Sequence, residues 1–157
     1  MRVVLGGTFN PPIHKGHREL LNLAFELARG GNDEGGGTGE VAIGLTSDEM
    51  VGVKEGTLPY TERVENLRQF INREFGALAR IIKINDPYGV TLSEDFDYIV
   101  VSPETYRMAQ KINQARKEKA MSPIKIVKID HVLDEGGKVI SSTRIKRGEI
   151  DEDGTVF

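Results

Sequence analysis

The 157-residue chain contains no cysteine. That absence excludes disulfides, thiolate catalysis and any zinc site built on sulfur. It fits a reducing compartment. Long hydrophobic runs are also missing: no apolar stretch approaches the ~20 residues that span a bilayer. The chain opens directly on a strand pattern with no signal peptide in view, so it reads as cytoplasmic, without a membrane partner. Neither sign of charge dominates, since 21 Lys and Arg face 24 Asp and Glu for a formal net charge of −3. There is no polybasic footprint, and no nucleic-acid partner is expected. A negative substrate must then be held by a local cluster of cations and N–H donors rather than by the global field. The length suits a single domain over residues 1–157, long enough to bury a mixed α/β core.

Strands and helices alternate along the chain. Strand patterns fall at Arg2–Leu5, Val41–Leu45, Arg80–Ile84, Tyr98–Val101 and Ile124–Ile129, all rich in Val and Ile, as buried parallel strands are. Apolar stripes at helical spacing lie between them. One holds Leu20, Leu21, Ala24, Phe25 and Ala28; a second, beginning near Thr61, holds Val64, Leu67, Ile71 and Phe75. A third helix is expected to open at Ser102-Pro103, with Ser as cap and Pro in the first helical position, before Met108, Ala109, Ile112 and Ala115. A short last helix starts at Ser141 or Ser142. The pattern predicts a doubly wound, Rossmann-like parallel sheet of about five strands flanked by helices, with ligands beyond the carboxyl ends of the strands. The glycine-rich, acidic stretch at about 30–39 reads as a flexible connector between the first helix and the second strand, at the edge away from the ligand.

The most informative segment is Gly6-Gly7-Thr8-Phe9-Asn10-Pro11-Pro12-Ile13-His14-Lys15-Gly16-His17. It runs from a strand into a helix and places two imidazoles one helical turn apart at the helix start. Free N–H groups there, with the positive end of the helix dipole, predict a phosphate guest. Imidazole N–H groups can hydrogen-bond oxygens that gain charge around an attacked phosphorus. A pair of ordinary capping histidines is the alternative; a metal pair would need a third ligand that is not evident nearby.

Three further clusters stand out. Ile140-Ser141-Ser142-Thr143-Arg144-Ile145-Lys146-Arg147 puts three hydroxyls and then three cations together, suited to a triphosphate tail or to a helix cap followed by a solvated basic turn. Lys54 follows Thr46-Ser47-Asp48-Glu49-Met50 and is a second-phosphate ligand or a plain surface lysine. Arg63, in Pro59-Tyr60-Thr61-Glu62-Arg63, either reaches the site or pairs on its own helix.

The first segment resembles the G-T-F-D-x-x-H-x-G-H signature of the nucleotidyltransferase superfamily, and Ile140–Arg147 resembles its second signature, I-S-S-T-x-x-R. Between and after them IGLTSDEM, PYTERVENL, NDPYG, IVVSPET and RGEID are similar to archaeal-type phosphopantetheine adenylyltransferases. That resemblance implies transfer of AMP from ATP to 4′-phosphopantetheine by direct in-line attack, giving dephospho-coenzyme A and pyrophosphate. This is the penultimate step of coenzyme A synthesis. It implies Mg²⁺ carried mainly by the ATP phosphates, with no separate protein metal site.

The resemblance also assigns roles. The backbone of Gly7, Thr8 and Phe9, with the Thr8 side chain, contacts the reacting phosphates. His14 and His17 contact ATP, His17 at the α-phosphorus. Ser141, Ser142 and Thr143 hold the β and γ phosphates, with Arg144, Lys146 and Arg147 beside them. Thr8, Lys54 and Arg63 hold the acceptor, and Arg116 is a weaker candidate. Three departures matter. Asn10 stands where the signature has Asp, Lys146 where it has Arg, and Ser102-Pro103-Glu104-Thr105 where the bacterial enzymes carry arginines. The competing readings are another acceptor on the same fold, such as nicotinamide mononucleotide, and an ATP-binding module without turnover. Oligomeric state stays open, a homo-oligomer included.

Overall fold

The computed structural model describes residues 1–30, 39–52 and 56–156, with Ser142 described by its backbone only. Residues 31–38 of the glycine-rich stretch and Lys54 lie outside the described residues. The elements are β1 (Arg2–Gly7), α1 (Lys15–Ala28), β2 (Glu40–Thr46), α2 (Asp48–Val51), α3 (Tyr60–Phe75), β3 (Arg80–Ile84), β4 (Tyr98–Val101), α4 (Tyr106–Glu118), β5 (Lys125–Lys128) and α5 (Ser142–Lys146).

All five strands pair in parallel, in the order β3-β2-β1-β4-β5. The chain winds outward from β1 through β2 to β3, then returns to β4 on the other side. The strand order therefore reverses between β1 and β4, and a crevice at the carboxyl ends is expected there. Alternation along the strands sorts the core into two layers. Val3 and Leu5 of β1 join Val41, Ile43 and Leu45 of β2 against Leu21 and Phe25 of α1 and Leu67 and Ile71 of α3. Val4, Ala42, Ile99 and Val101 face the other way, against Ala109 and Ile112 of α4. Each face buries its own helices, which is why the strands read as continuous apolar runs.

One predicted boundary is corrected. Ser102 does not cap α4 and Pro103 is not its first residue. The Ser102 backbone N–H donates to Thr105 Oγ1 at 3.1 Å and the Thr105 N–H donates to the Ser102 carbonyl, also at 3.1 Å. This closed turn precedes the helix and leaves residues 102–105 as a loop at the carboxyl end of β4. At the opposite edge of the sheet Glu94 joins Arg2 and Arg80, and Glu40 bonds the same two arginines. No helix among the described residues is long and apolar enough to cross a membrane.

Candidate active site

The two histidines cap one helix and hold each other. His14 is the N-cap of α1, and its Nδ1 accepts from the N–H of Gly16 at 3.0 Å and of His17 at 3.4 Å. His17 Nδ1 in turn accepts from the His14 N–H at 3.2 Å. This is a capping box built from imidazoles. The rings stack with centroids 3.7 Å apart, and Phe9 lies 5.0 Å from His17. Gly16 is required between them: a Cβ there would stand 2.8 Å from His14 Cε1. Phe9 reaches its buried place with φ of 45°, a left-handed conformation unusual for a bulky residue.

A ring nitrogen that accepts carries no proton, so each neutral imidazole has its hydrogen on Nε2. Burial, helped by the nearby Arg18 charge, lowers His14 to about 4. Burial and then His14 itself lower His17 to about 3. Both rings are therefore neutral Nε2–H donors at physiological pH.

The capping overturns one expectation. The start of α1 does not offer free backbone N–H groups. The Lys15 N–H donates to the Glu152 carbonyl at 2.9 Å, and those of Gly16 and His17 are taken by His14. The C-terminal segment reaches back for this contact, and an Arg18–Asp153 ion pair adds to it. The hydrogens left unused by the cap are those on the imidazole Nε2 atoms, and both rings line a cavity.

Two cavities open on either side of the loop after β1. One, of about 380 Å³, is lined by Gly7, Thr8, Phe9, His14, His17, Ser141 and Thr143, together with the turn at 102–105 and Ile129–Val132 after β5. The other, of about 280 Å³, is mostly apolar, with Met50, Ile84, Pro87, Met108 and Ile112 in its wall. Gly6, Gly7, Thr8 and Thr105 belong to both. Sequence reading missed the Ile129–Val132 segment and the apolar cavity. The signal was available in part, since residues just after each parallel strand share the ligand edge. Met50 and Met108 gave no such signal, because a core methionine and a cavity methionine look alike in sequence.

Several expected ligands are placed elsewhere. Arg63 is 0% exposed and lines neither cavity. It donates to the carbonyls of Leu58 (2.8 Å) and Thr8 (3.1 Å), to Thr46 Oγ1 (3.3 Å) and to Asp48 Oδ1 (3.2 Å). It is a buried strut beneath the loop, not an acceptor ligand. Arg116 is also buried. It is held by the carbonyls of Ser122, Thr91 and Glu94 and by Asp95.

Arg144 is likewise corrected from phosphate ligand to structural partner. Its guanidinium lies 2.6 Å from the buried Asp134 carboxylate and bonds the Val139 carbonyl. Asp134 is held below the usual carboxylate range, first by the Lys138 backbone N–H and then by Arg144 and Gly136. Lys146 and Arg147 are exposed, outside the lining of the larger cavity. Ser141 caps α5, its Oγ accepting from the Arg144 N–H at 3.2 Å. Asn10 is buried; its Nδ2 donates to the Gly56 carbonyl (2.9 Å) and its Oδ1 accepts from the Leu58 N–H (2.8 Å). A carboxylate could not make the first bond, which accounts for Asn where the signature has Asp.

A site with neutral imidazole donors, hydroxyls and close backbone, at the carboxyl edge of a parallel sheet, is suited to phosphate oxygens that gain negative charge. Residues 4–148 match the cytidylyltransferase-like family. A phosphopantetheine adenylyltransferase of Archaeoglobus fulgidus is 49% identical over 100% of both chains. The enzyme of the same name from Methanosarcina barkeri is 46% identical over 98% of this chain and 91% of its own. Among solved structures, a protein of unknown function from Archaeoglobus fulgidus is 46% identical. It superposes with a TM-score of 0.71 over 83% of this chain and 90% of that one. The chain belongs to the cytidylyltransferase-like family and, within it, to the archaeal phosphopantetheine adenylyltransferases.

Proposed function

We propose that this protein transfers the adenylyl group of Mg-ATP to 4′-phosphopantetheine, releasing pyrophosphate and dephospho-coenzyme A, in the cytoplasm. The observation that carries the reading is the pair of cavities meeting at Gly6, Gly7 and Thr8. The polar one, with both histidines and Ser141, takes the nucleotide. The apolar one suits the uncharged arm of the acceptor. A phosphate on that arm and the α-phosphorus of ATP would then meet at Thr8.

The acceptor phosphate is anionic and needs little general-base help, so positioning and charge stabilisation do most of the work. An acceptor oxygen forms the new bond to the α-phosphorus, and the bond from that phosphorus to the bridging oxygen of the β-phosphate breaks. The electron pair leaves on pyrophosphate, and no bond to the enzyme forms. His17 Nε2–H donates to the oxygens around the α-phosphorus; His14 and Thr8 donate beside it. Ser141, Ser142 and Thr143, with Lys146 and Arg147, hold the outer phosphates, and Lys54 the acceptor phosphate. Among the described residues no three His, Asp or Glu side chains converge as a metal site. The donor set fits phosphate oxygens, and Mg²⁺ bound to the triphosphate would supply charge neutralisation there.

The test is pyrophosphate release from Mg-ATP with 4′-phosphopantetheine and nicotinamide mononucleotide offered in parallel. Release with phosphopantetheine alone is expected. Release with the mononucleotide alone overturns the acceptor, and silence with both despite tight ATP binding overturns the transfer.

A further inference from the structure

Thr8 sits where the two cavities meet, and its hydroxyl is held from behind. Thr46 Oγ1, at the end of β2, lies 3.0 Å from Thr8 Oγ1. Arg63 Nη1 donates to the same Thr46 oxygen at 3.3 Å and to the Thr8 carbonyl at 3.1 Å. Arg63 and Thr46 are both buried.

The direction of these bonds follows from what each group can do. A guanidinium has no lone pair to offer, so Thr46 Oγ1 must accept from it. Thr46 has one hydroxyl hydrogen, and among the described residues its acceptor is Thr8 Oγ1. Thr8 Oγ1 therefore accepts from behind. Its own hydrogen has no hydrogen-bond acceptor among the described residues, and Thr8 lines both cavities. Each donor in such a chain polarises the next.

We propose that Arg63 and Thr46 form a one-way donor relay that fixes the Thr8 hydroxyl as a donor to ligand phosphate oxygens. Arg63, which lines neither cavity, is a positioning residue in this arrangement, and Thr46, which also borders the apolar cavity, acts through Thr8. The inference rests on the placement of Thr8 against the reacting phosphates. It also explains why a buried arginine stands beneath a phosphate loop: it orders donors rather than binding the anion itself.

The experiment is a double-mutant cycle with Thr46→Val, Thr8→Val and the double variant, with Thr46→Ser as the conservative control. Two readouts run in parallel: kcat/KM for adenylyl transfer, and the Kd for Mg-ATP by calorimetry, which needs no acceptor. Thr46→Val should lower kcat/KM about tenfold, the weight of one hydrogen bond to a charged group, and weaken Mg-ATP binding in the same direction. Thr46→Ser should restore most of both. In the Thr8→Val background, Thr46→Val should add nothing. An equal loss in both backgrounds, or no loss in either readout, overturns the relay. Where wild type turns over neither acceptor while Mg-ATP binding follows the cycle, the proposed activity falls and the relay stands. Should Thr46→Val melt below assay temperature, Thr46→Ala carries the same cycle.

Discussion

His14 and His17 each accept a backbone hydrogen bond from the other, Nδ1 to N–H, across the first turn of α1. Structure and chemistry are joined in this one contact. The helix cap consumes Nδ1 of each ring and so leaves its hydrogen on Nε2.

Removing His17 should lower kcat by about a hundredfold to a thousandfold, as for other donors aimed at developing charge, with a smaller change in KM. His14→Ala should also cost about 1 kcal/mol of stability, because it removes the N-cap. Gly16→Ala should damage both functions at once, since its Cβ meets the His14 ring. Steady-state kinetics and urea denaturation check the three together. An unchanged kcat for His17→Ala would exclude its place at the α-phosphorus.

The histidines also set a pH dependence. Both titrate below the ordinary imidazole value of 6.5, at about 4 for His14 and about 3 for His17, chiefly because burial disfavours their charged forms. As pH falls the unfolded chain takes up protons first, so their contribution to stability is complete above about 6.5 and is lost progressively below it, down towards about 3. Nitrogen-detected NMR of the free protein should show both rings as the Nε2–H tautomer from about pH 5 to 8. An imidazolium pattern for either ring at pH 6 would contradict the capping geometry.

Asn10→Asp, which restores the signature residue, should destabilise this chain by about 1–3 kcal/mol at neutral pH, because a carboxylate would face the Gly56 carbonyl without a proton to share. The cost should shrink in acid, where a protonated Asp can donate. Urea midpoints at two pH values make the comparison.

Arg144 and Lys146 should separate cleanly. Arg144→Ala leaves the Asp134 carboxylate without its cation and should lower the melting temperature. Lys146→Ala, at an exposed position, should shift stability by less than about 0.5 kcal/mol while raising the KM for Mg-ATP. Thermal melts and ATP titrations on both variants distinguish a structural cation from a phosphate-binding one.

Much of this protein was determined by local sequence. Val and Ile runs separated by helical stripes dictate a parallel sheet, because only strands buried on both faces read that way. The carboxyl-edge position of the His14–His17 segment follows from its coming directly after β1. The two signatures, Gly6–His17 and Ile140–Arg147, identify the family from sequence alone. Arginine is where local reading failed. Arg63, Arg116 and Arg144 look alike in sequence as cations ready for phosphate, yet each is consumed by carbonyls or carboxylates. Whether a guanidinium meets a ligand or a carbonyl depends on which loops converge around it, and those loops come from distant parts of the chain. The same holds for the Glu152 carbonyl on the Lys15 N–H and for the apolar cavity beside Thr8. Periodicity sets which face of an element is buried, but only the packed fold decides which buried polar groups find one another.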